Sequence, residues 1–479
     1  MRGFLPPNTY AQWSALWERP AALAETSERP PEATLQIAWA GQRLRPEALR
    51  ATDGRRVRVL HPGLWNRGEG PDFRGAALRF DADPPVVGDV EIDVEPAGWN
   101  RHGHALNPAY REVKLQVVWR ARPGLRTLIP VLPIADALDA SIEEIAREPA
   151  TEPGLFPSQS GRCAPILSQA EESFWKALLL QAAEARLRQK ARRFADRARQ
   201  TGWDAALWEG LFEALGYRRN AWPMRALGEA ARELVEDRPS LTRLQARLLG
   251  LAGLLPRDLP LRQTEESLFA RALWDSWWRE QSRWAGRALP EAIWSFRGLR
   301  PANHPHRRLA LAAHWLRRPE LPRRIERWLA EDIPGPKLRA SLAELLQAEE
   351  DPFWERRFHL FSPAQPAPRP LLGRQRLDEL AVNVVLPWLW ARADEGGRKS
   401  LRRRALERSR RWPAAGANSQ LRLGRLRLAK GRALPRPGRA AYEQGLLQIL
   451  RDFCGRAGAR CEGCRLPELL QRDLGRAPR

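Results

Sequence analysis

Asp89, Glu91, Asp93 and Glu95 alternate with Val90, Ile92 and Val94. In an extended chain every carboxylate turns to one face and every apolar side chain to the other. Like charges so close repel, and solvent, arginines or a divalent cation relieve them. Upstream, Gly70-Pro71-Asp72 opens a second strand-like run, and Asp83-Pro84-Pro85 supplies a turn between the two. The midpoint between Asp72 and Glu91 falls inside that connection, so a hairpin of regular register sets these carboxylates beside each other. His102 and His104 follow closely, and three of the seven histidines lie between residues 61 and 104. Hard carboxylate oxygens suit Mg²⁺ or Mn²⁺, and imidazoles suit Mn²⁺ or Zn²⁺. A divalent metal on Asp72 and Glu91, with Asp93 as a possible further ligand, is the expected chemistry. The plain alternative is a solvated acidic strand face.

The four cysteines form the second constellation. Cys454, Cys461 and Cys464 crowd the C-terminus as Cys-x6-Cys-x2-Cys, and Cys163 lies far upstream. Four thiols match the ligand count of a tetrahedral zinc or an iron–sulfur cluster. A shared centre would clasp the two ends of the chain together; free buried thiols are the other reading. The N-terminal MRGFLPPNTYAQW lacks the apolar core of a signal peptide, and no apolar stretch approaches the ~20 residues of a membrane span. The expected compartment is the cytoplasm, where clustered cysteines read as metal ligands rather than disulfides.

The elements that must position these residues differ along the chain. A short helical stretch surrounds Tyr10 to Trp17. Between residues 34 and 135, LQIAW, RVRVL, AALRF, DVEIDV and VKLQVVW read as strands bounded by Gly, Pro, Asn and Asp. Pro149, Pro153 and Pro157 mark a linker. From Ser168 the period becomes helical, with Ser168 and Glu171 forming a capping-box start. Helical patterning runs with interruptions at Pro256 and Pro260 to about Leu434, and Trp274, Trp277, Trp278, Trp294, Trp315, Trp354, Trp388 and Trp390 read as core. A last helix, from about Ala440 to Phe453, delivers the cysteines. The expected fold is an α/β domain with a mixed, nuclease-like sheet over 1–150, an all-helical domain over 165–435, and a terminal helix with the cysteine clasp over 436–479.

Charge points to a partner. The 479 residues carry a net +23, with a sequence pI of about 11.1. Six of the 80 basic residues are Lys, leaving 74 Arg. Arg over Lys can reflect genome composition or heat adaptation, but basic over acidic suggests an anionic partner, nucleic acid first. ARLRQKARRFADRARQ carries an Arg row that can follow a phosphate backbone. In RPANHPHRRLA, Arg307 and Arg308 near a helix start suit a phosphate; pairing with helix carboxylates is the structural alternative.

The Asp72/Glu91 hairpin resembles the PD-(D/E)xK nuclease fold. There an Asp opening one strand and a Glu on the next hold the metal, and a Lys two residues after the Glu positions the attacking water. Pro71-Asp72 and Glu91 match; Asp93 stands at the Lys position. Lys114, His102 or His104 would then take the water-activating role. A wider resemblance, carried by HPGLWNRGEGPDF, GDVEIDVEPAGWNRHGH, EALGYRRN, LRPANHPHRRLA and the terminal cysteines, is to an uncharacterised bacterial domain-of-unknown-function family. That family tends to have Glu-x-His where this chain has Glu91-x-Asp93, and His where Gln116 stands. The cysteine run is also similar to three ligands of the endonuclease III-type iron–sulfur loop. Its topology resembles the iron-staple nucleases, in which one upstream cysteine joins three C-terminal ones.

The leading expectation is metal-assisted phosphodiester hydrolysis on nucleic acid. Its rivals are a non-catalytic nucleic-acid binder on a degenerate nuclease fold, and an assembly protein whose basic surface meets an acidic partner.

Overall fold

A computed structural model describes residues 5–18, 29–66, 68–146, 160–217, 219–259, 263–284, 286–416, 419–455, 461 and 463–475. Its first half holds a mixed sheet of six strands: β1 (Val57–His61), β2 (Leu64–Trp65), β3 (Phe73–Phe80), β4 (Val86–Ile92), β5 (Val113–Val118) and β6 (Val131–Pro133). The order is β1-β3-β4-β5-β6, with β2 pairing β3. β1, β3 and β4 run antiparallel, and β5 and β6 join β4 in parallel. The expected α/β-then-helical class is present.

The β3–β4 register is not regular. Near the turn Ala76 faces Gly88 and Leu78 faces Val86; beyond a bulge, Phe73 faces Val90. Extending the turn-end register would set Asp72 opposite Ile92. The bulge adds one residue and brings Asp72 to Glu91 instead, which matters because a one-residue slip reverses facing. Gly75, at φ 67°, lies in the bulge, and its N–H donates to Asp89 Oδ1 at 2.9 Å. Left-handed backbone of this kind favours glycine.

LQIAW, expected as a strand, lies in the helix Glu32–Gly41. Leu35, Ile37 and Trp39 alternate like a strand, but Thr34, Leu35, Ala38 and Trp39 also fit a helical face, and all five are buried. The long arms of this helix meet the sheet: Trp39 Nε1 donates to Pro62 O at 2.9 Å. Together with β3, β4 and β5 they form the core of the sheet domain.

The linker prolines Pro149, Pro153 and Pro157, and Pro260, lie outside the described residues. The capping box expected at Ser168 is absent. Ser168 sits inside a preceding short helix, Ala164–Gln169, and its Oγ donates to Pro165 O; the long helix Glu172–Thr201 starts after it, with Glu171 at its N-cap.

Helices then dominate. The helix Pro305–Leu316 is buried on nearly every side, at the centre of the largest core. Trp294, Trp315, Trp354 and Trp388 are core residues as expected, whereas Trp278 is exposed and stacks on Trp274 with centroids 4.9 Å apart. A separate core joins both chain ends. Tyr10 and Trp13 of the helix Thr9–Glu18 pack with Cys163, Trp175, Leu446, Phe453, Cys454 and Cys464. Tyr10 Oη donates to Asp452 Oδ2 at 2.7 Å, and Trp13 Nε1 to Asp473 Oδ2 at 2.8 Å.

Candidate metal site at the end of a central strand

The acidic row of β4 divides its work. Asp89 holds the bulge, and Glu95 pairs with Arg29 at 3.0 Å. Glu91 and Asp93 turn inward and are buried, at 6 % and 2 % exposure. Glu91 Oε2 accepts the Asp72 N–H at 3.1 Å, while Asp72 Oδ2 accepts the Ile92 N–H at 3.0 Å. Asp72 Oδ1 accepts from Gln36 Nε2 at 2.8 Å, and Glu32 Oε1 accepts from the same amide at 3.0 Å. Glu32 and Gln36, four apart, share one helix face, so this helix supplies the site's second wall.

The third wall is the segment after β4. The short helix Gly98–Arg101 and the turn that follows bring His102 and His104 back over the strand end. Asp93, His102 and His104 each offer a donor atom, all within 4.8 Å of one another. His102 Nδ1 stands 3.2 Å from Asp93 Oδ1, with its ring about half exposed. His104 is buried, stacked on Tyr110 at 4.0 Å, with Trp99 against it at 5.4 Å. Its Nε2 lies 3.1 Å from Glu91 Oε1 without making a hydrogen bond to it or to any other described group. A buried nitrogen so placed against a carboxylate oxygen is the arrangement of two ligands facing one cation. Gly98 permits it: a Cβ there would meet Asp93 Oδ1 at 2.2 Å. Gln116 Nε2 donates to Asp93 Oδ2 at 2.8 Å and fixes that carboxylate from β5.

Electrostatics agree with the geometry. Burial, reinforced by Asp72, pushes Glu91 up to about 8; its hydrogen bond from Asp72 N opposes the rise. Burial pushes Asp72 up to about 6. Burial also raises Glu32, and lowers His104 so that its imidazole stays neutral and fit to ligate. Among the described residues no Lys or Arg pairs with Asp72, Glu91 or Asp93. In a chain of +23, carboxylates gathered without a cation form a site suited to a divalent metal.

A family model described as "Protein of unknown function (DUF2851)" matches residues 32–416. The chain belongs to that family. No curated protein and no solved structure matches it. The matched range spans the helix Glu32–Gly41, the whole sheet and most of the helical region, and includes Cys163 but not the three C-terminal cysteines.

Of the residues expected at the site, Asp72, Glu91, Asp93, His102 and His104 converge. Lys114 does not. It shares a β5 face with Gln116 but sits two residues back from it, packed over Gly88, with its Nζ 3.4 Å from Glu112 Oε2. Arg307 and Arg308 are buried, which corrects the phosphate-binding expectation. Arg307 donates to the carbonyls of Arg357, Arg369 and Pro370, and Arg308 to Leu371 O and Asn303 Oδ1. Their work is to satisfy backbone that no strand or helix pairs. Sequence reasoning missed Glu32, Gln36, Gly98, Trp99 and Tyr110. The legible signal was the polar pair Glu32/Gln36, four apart in an otherwise apolar stretch, hidden by reading LQIAW as a strand.

Proposed function

We propose that this protein is a metal-dependent hydrolase of phosphodiester bonds in nucleic acid. The reading rests on one observation: beyond the end of β4, Asp93, His102 and His104 bring donor atoms within 4.8 Å of one another, and beside them His104 Nε2 meets Glu91 Oε1, the neighbour of Asp72, without a hydrogen bond. Asp72, Glu91 and Asp93 would hold Mg²⁺ or Mn²⁺, with His104 as a nitrogen ligand. When bound, such a cation lowers the pKa of a water and stabilises charge on a phosphate. We assign His102 to the role of the missing motif lysine: its Nδ1 lies 3.2 Å from Asp93 Oδ1, and its ring is about half exposed at the site. Exposed arginines would steer and hold flanking phosphates. The antiparallel β1-β3-β4 run followed by parallel β5 supports this reading, because the nuclease resemblance implies an Asp opening one strand and a Glu on the next.

The displacement of Lys114 favours a second reading, a non-catalytic nucleic-acid binder on the same scaffold. Incubation of the full chain with single- and double-stranded DNA and RNA, with Mn²⁺, Mg²⁺ or chelator, separates them. Metal-dependent cleavage abolished in Glu91→Gln is the expected result. Metal-independent binding with no cleavage supports the second reading. Neither binding nor cleavage removes both and leaves an assembly role with an acidic protein partner.

A further inference from the structure

All four cysteines meet. Cys163, Cys454, Cys461 and Cys464 line one small enclosed cavity with Gly161, Arg162, Arg427 and Pro467. They arrive from three separate helix ends. Cys163 is the N-cap of Ala164–Gln169, and Cys454 lies in the π-helical turn Leu450–Gly455 that ends the helix Ala440–Ile449. Cys461 and Cys464 form a turn, Cys464 N–H donating to Cys461 O at 3.2 Å, just before the helix Leu466–Gly475. Gly161 sits between two of the thiols: a Cβ there would lie 3.5 Å from Cys461 Sγ and 3.6 Å from Cys163 Sγ. Its N–H is tied to Arg427 O at 2.8 Å, which fixes the approach.

Three of the thiols are buried, and none forms a disulfide. Four independent core cysteines would be scattered over the cores of the protein; here one cavity holds every cysteine in the chain. The surroundings suit an anionic centre. Arg427 is buried, and its Nη2 points at Cys461 Sγ from 3.7 Å. A buried guanidinium directed at sulfur tunes a thiolate centre in the way outer-shell donors do.

We propose that Cys163, Cys454, Cys461 and Cys464 hold one thiophilic metal centre, an iron–sulfur cluster or a zinc ion, that clasps the two ends of the helical region. Zinc at ~2.3 Å from each sulfur would draw the four into a tetrahedron with edges of ~3.8 Å. A cluster would instead fill the space between the thiolates with its own iron and sulfide. Each thiol gives up its proton to the solvent on binding. The clasp closes a loop through most of the helical region, and its core includes Tyr10 and Trp13, so it also holds the N-terminal helix in place.

The full chain, purified without oxygen, tests this by metal and sulfide analysis with an absorption spectrum. Iron with matching inorganic sulfide and a visible band bleached by dithionite identifies the cluster; about one zinc per chain without colour identifies zinc. Protein free of both metals, before and after reconstitution with iron and sulfide or with zinc, overturns the proposal. Cys163→Ser and Cys461→Ser should lose the metal equally, and full metal content in Cys163→Ser would overturn the four-thiol assignment. Should those variants fail to fold, thiol titration of the unaltered protein decides: protection of all four until a chelator strips the metal is expected, and free reaction in the purified protein is the opposing result. Glu91→Gln should keep this centre intact, which separates it from the carboxylate site.

Discussion

Glu91 is the residue on which the carboxylate site turns. Glu91→Gln and Asp72→Asn should each abolish Mn²⁺ binding in calorimetry of the chain; unaltered binding in both would remove the metal assignment. The raised acidities give a sign for pH. Glu91 keeps its proton to about 8 and Asp72 to about 6, against 4.5 and 3.8 as ordinary values. Between those limits the metal-free native state binds more protons than the unfolded chain, so stability must fall as pH rises through that window. Denaturant midpoints in chelator should therefore be lower at about pH 8 than at about pH 5, and Glu91→Gln should flatten the slope. Mn²⁺ displaces those protons, so its affinity should rise over the same range. Gly98 tests positioning without removing a ligand. Gly98→Ala places a methyl against Asp93 Oδ1, and Mn²⁺ affinity should drop roughly 10–100-fold with every ligand still present.

At the scale of elements, the β3–β4 bulge decides whether a site exists. Gly75→Val, which disfavours the φ of 67° that the bulge needs, should favour a regular hairpin and swing Asp72 toward the Ile92 side. The expected outcome is a sheet that persists by circular dichroism but no longer binds Mn²⁺; retained binding would show the bulge to be incidental. The helix Glu32–Gly41 is anchored by Trp39, fully buried and hydrogen-bonded to Pro62 O. Trp39→Ala should cost about 3–5 kcal/mol in equilibrium unfolding, and should loosen the wall that holds Gln36 against Asp72.

The whole molecule is read through its charge. A net +23 spread over exposed arginines should bind a mixed-sequence oligonucleotide with an affinity that falls steeply as salt rises. Absence of binding at low salt would end both nucleic-acid readings. Arg308→Ala makes a contrast. It strips donors from Leu371 O and Asn303 Oδ1 and should destabilise the fold by a few kcal/mol. The salt slope of binding should be unchanged, because that guanidinium never reaches solvent. No described helix is long and apolar enough to cross a membrane.

Composition and period alone determined the division into a sheet region and a helical region, the β3–β4 hairpin, and the residue types of both constellations. Those are local properties: alternation of two, spacing of three to four, and the count of thiols are all written along the chain. The tertiary structure decided the rest. Leu35, Ile37 and Trp39 satisfy both periods, and packing of Trp39 under the sheet chose the helix. Lys114 lies on the strand VKLQVVW and could stand in for the motif lysine in sequence terms, yet the β4–β5 register leaves it beside Gly88. Arg307 and Arg308 look like a phosphate grip until burial assigns them to carbonyls. Asp72 reaches Glu91 through a bulge at Gly75 that no pattern of hydrophobic residues announces. Contacts between distant segments depend on register, burial and chain crossing, and these are set by the sum of many packing energies rather than by any one stretch of sequence.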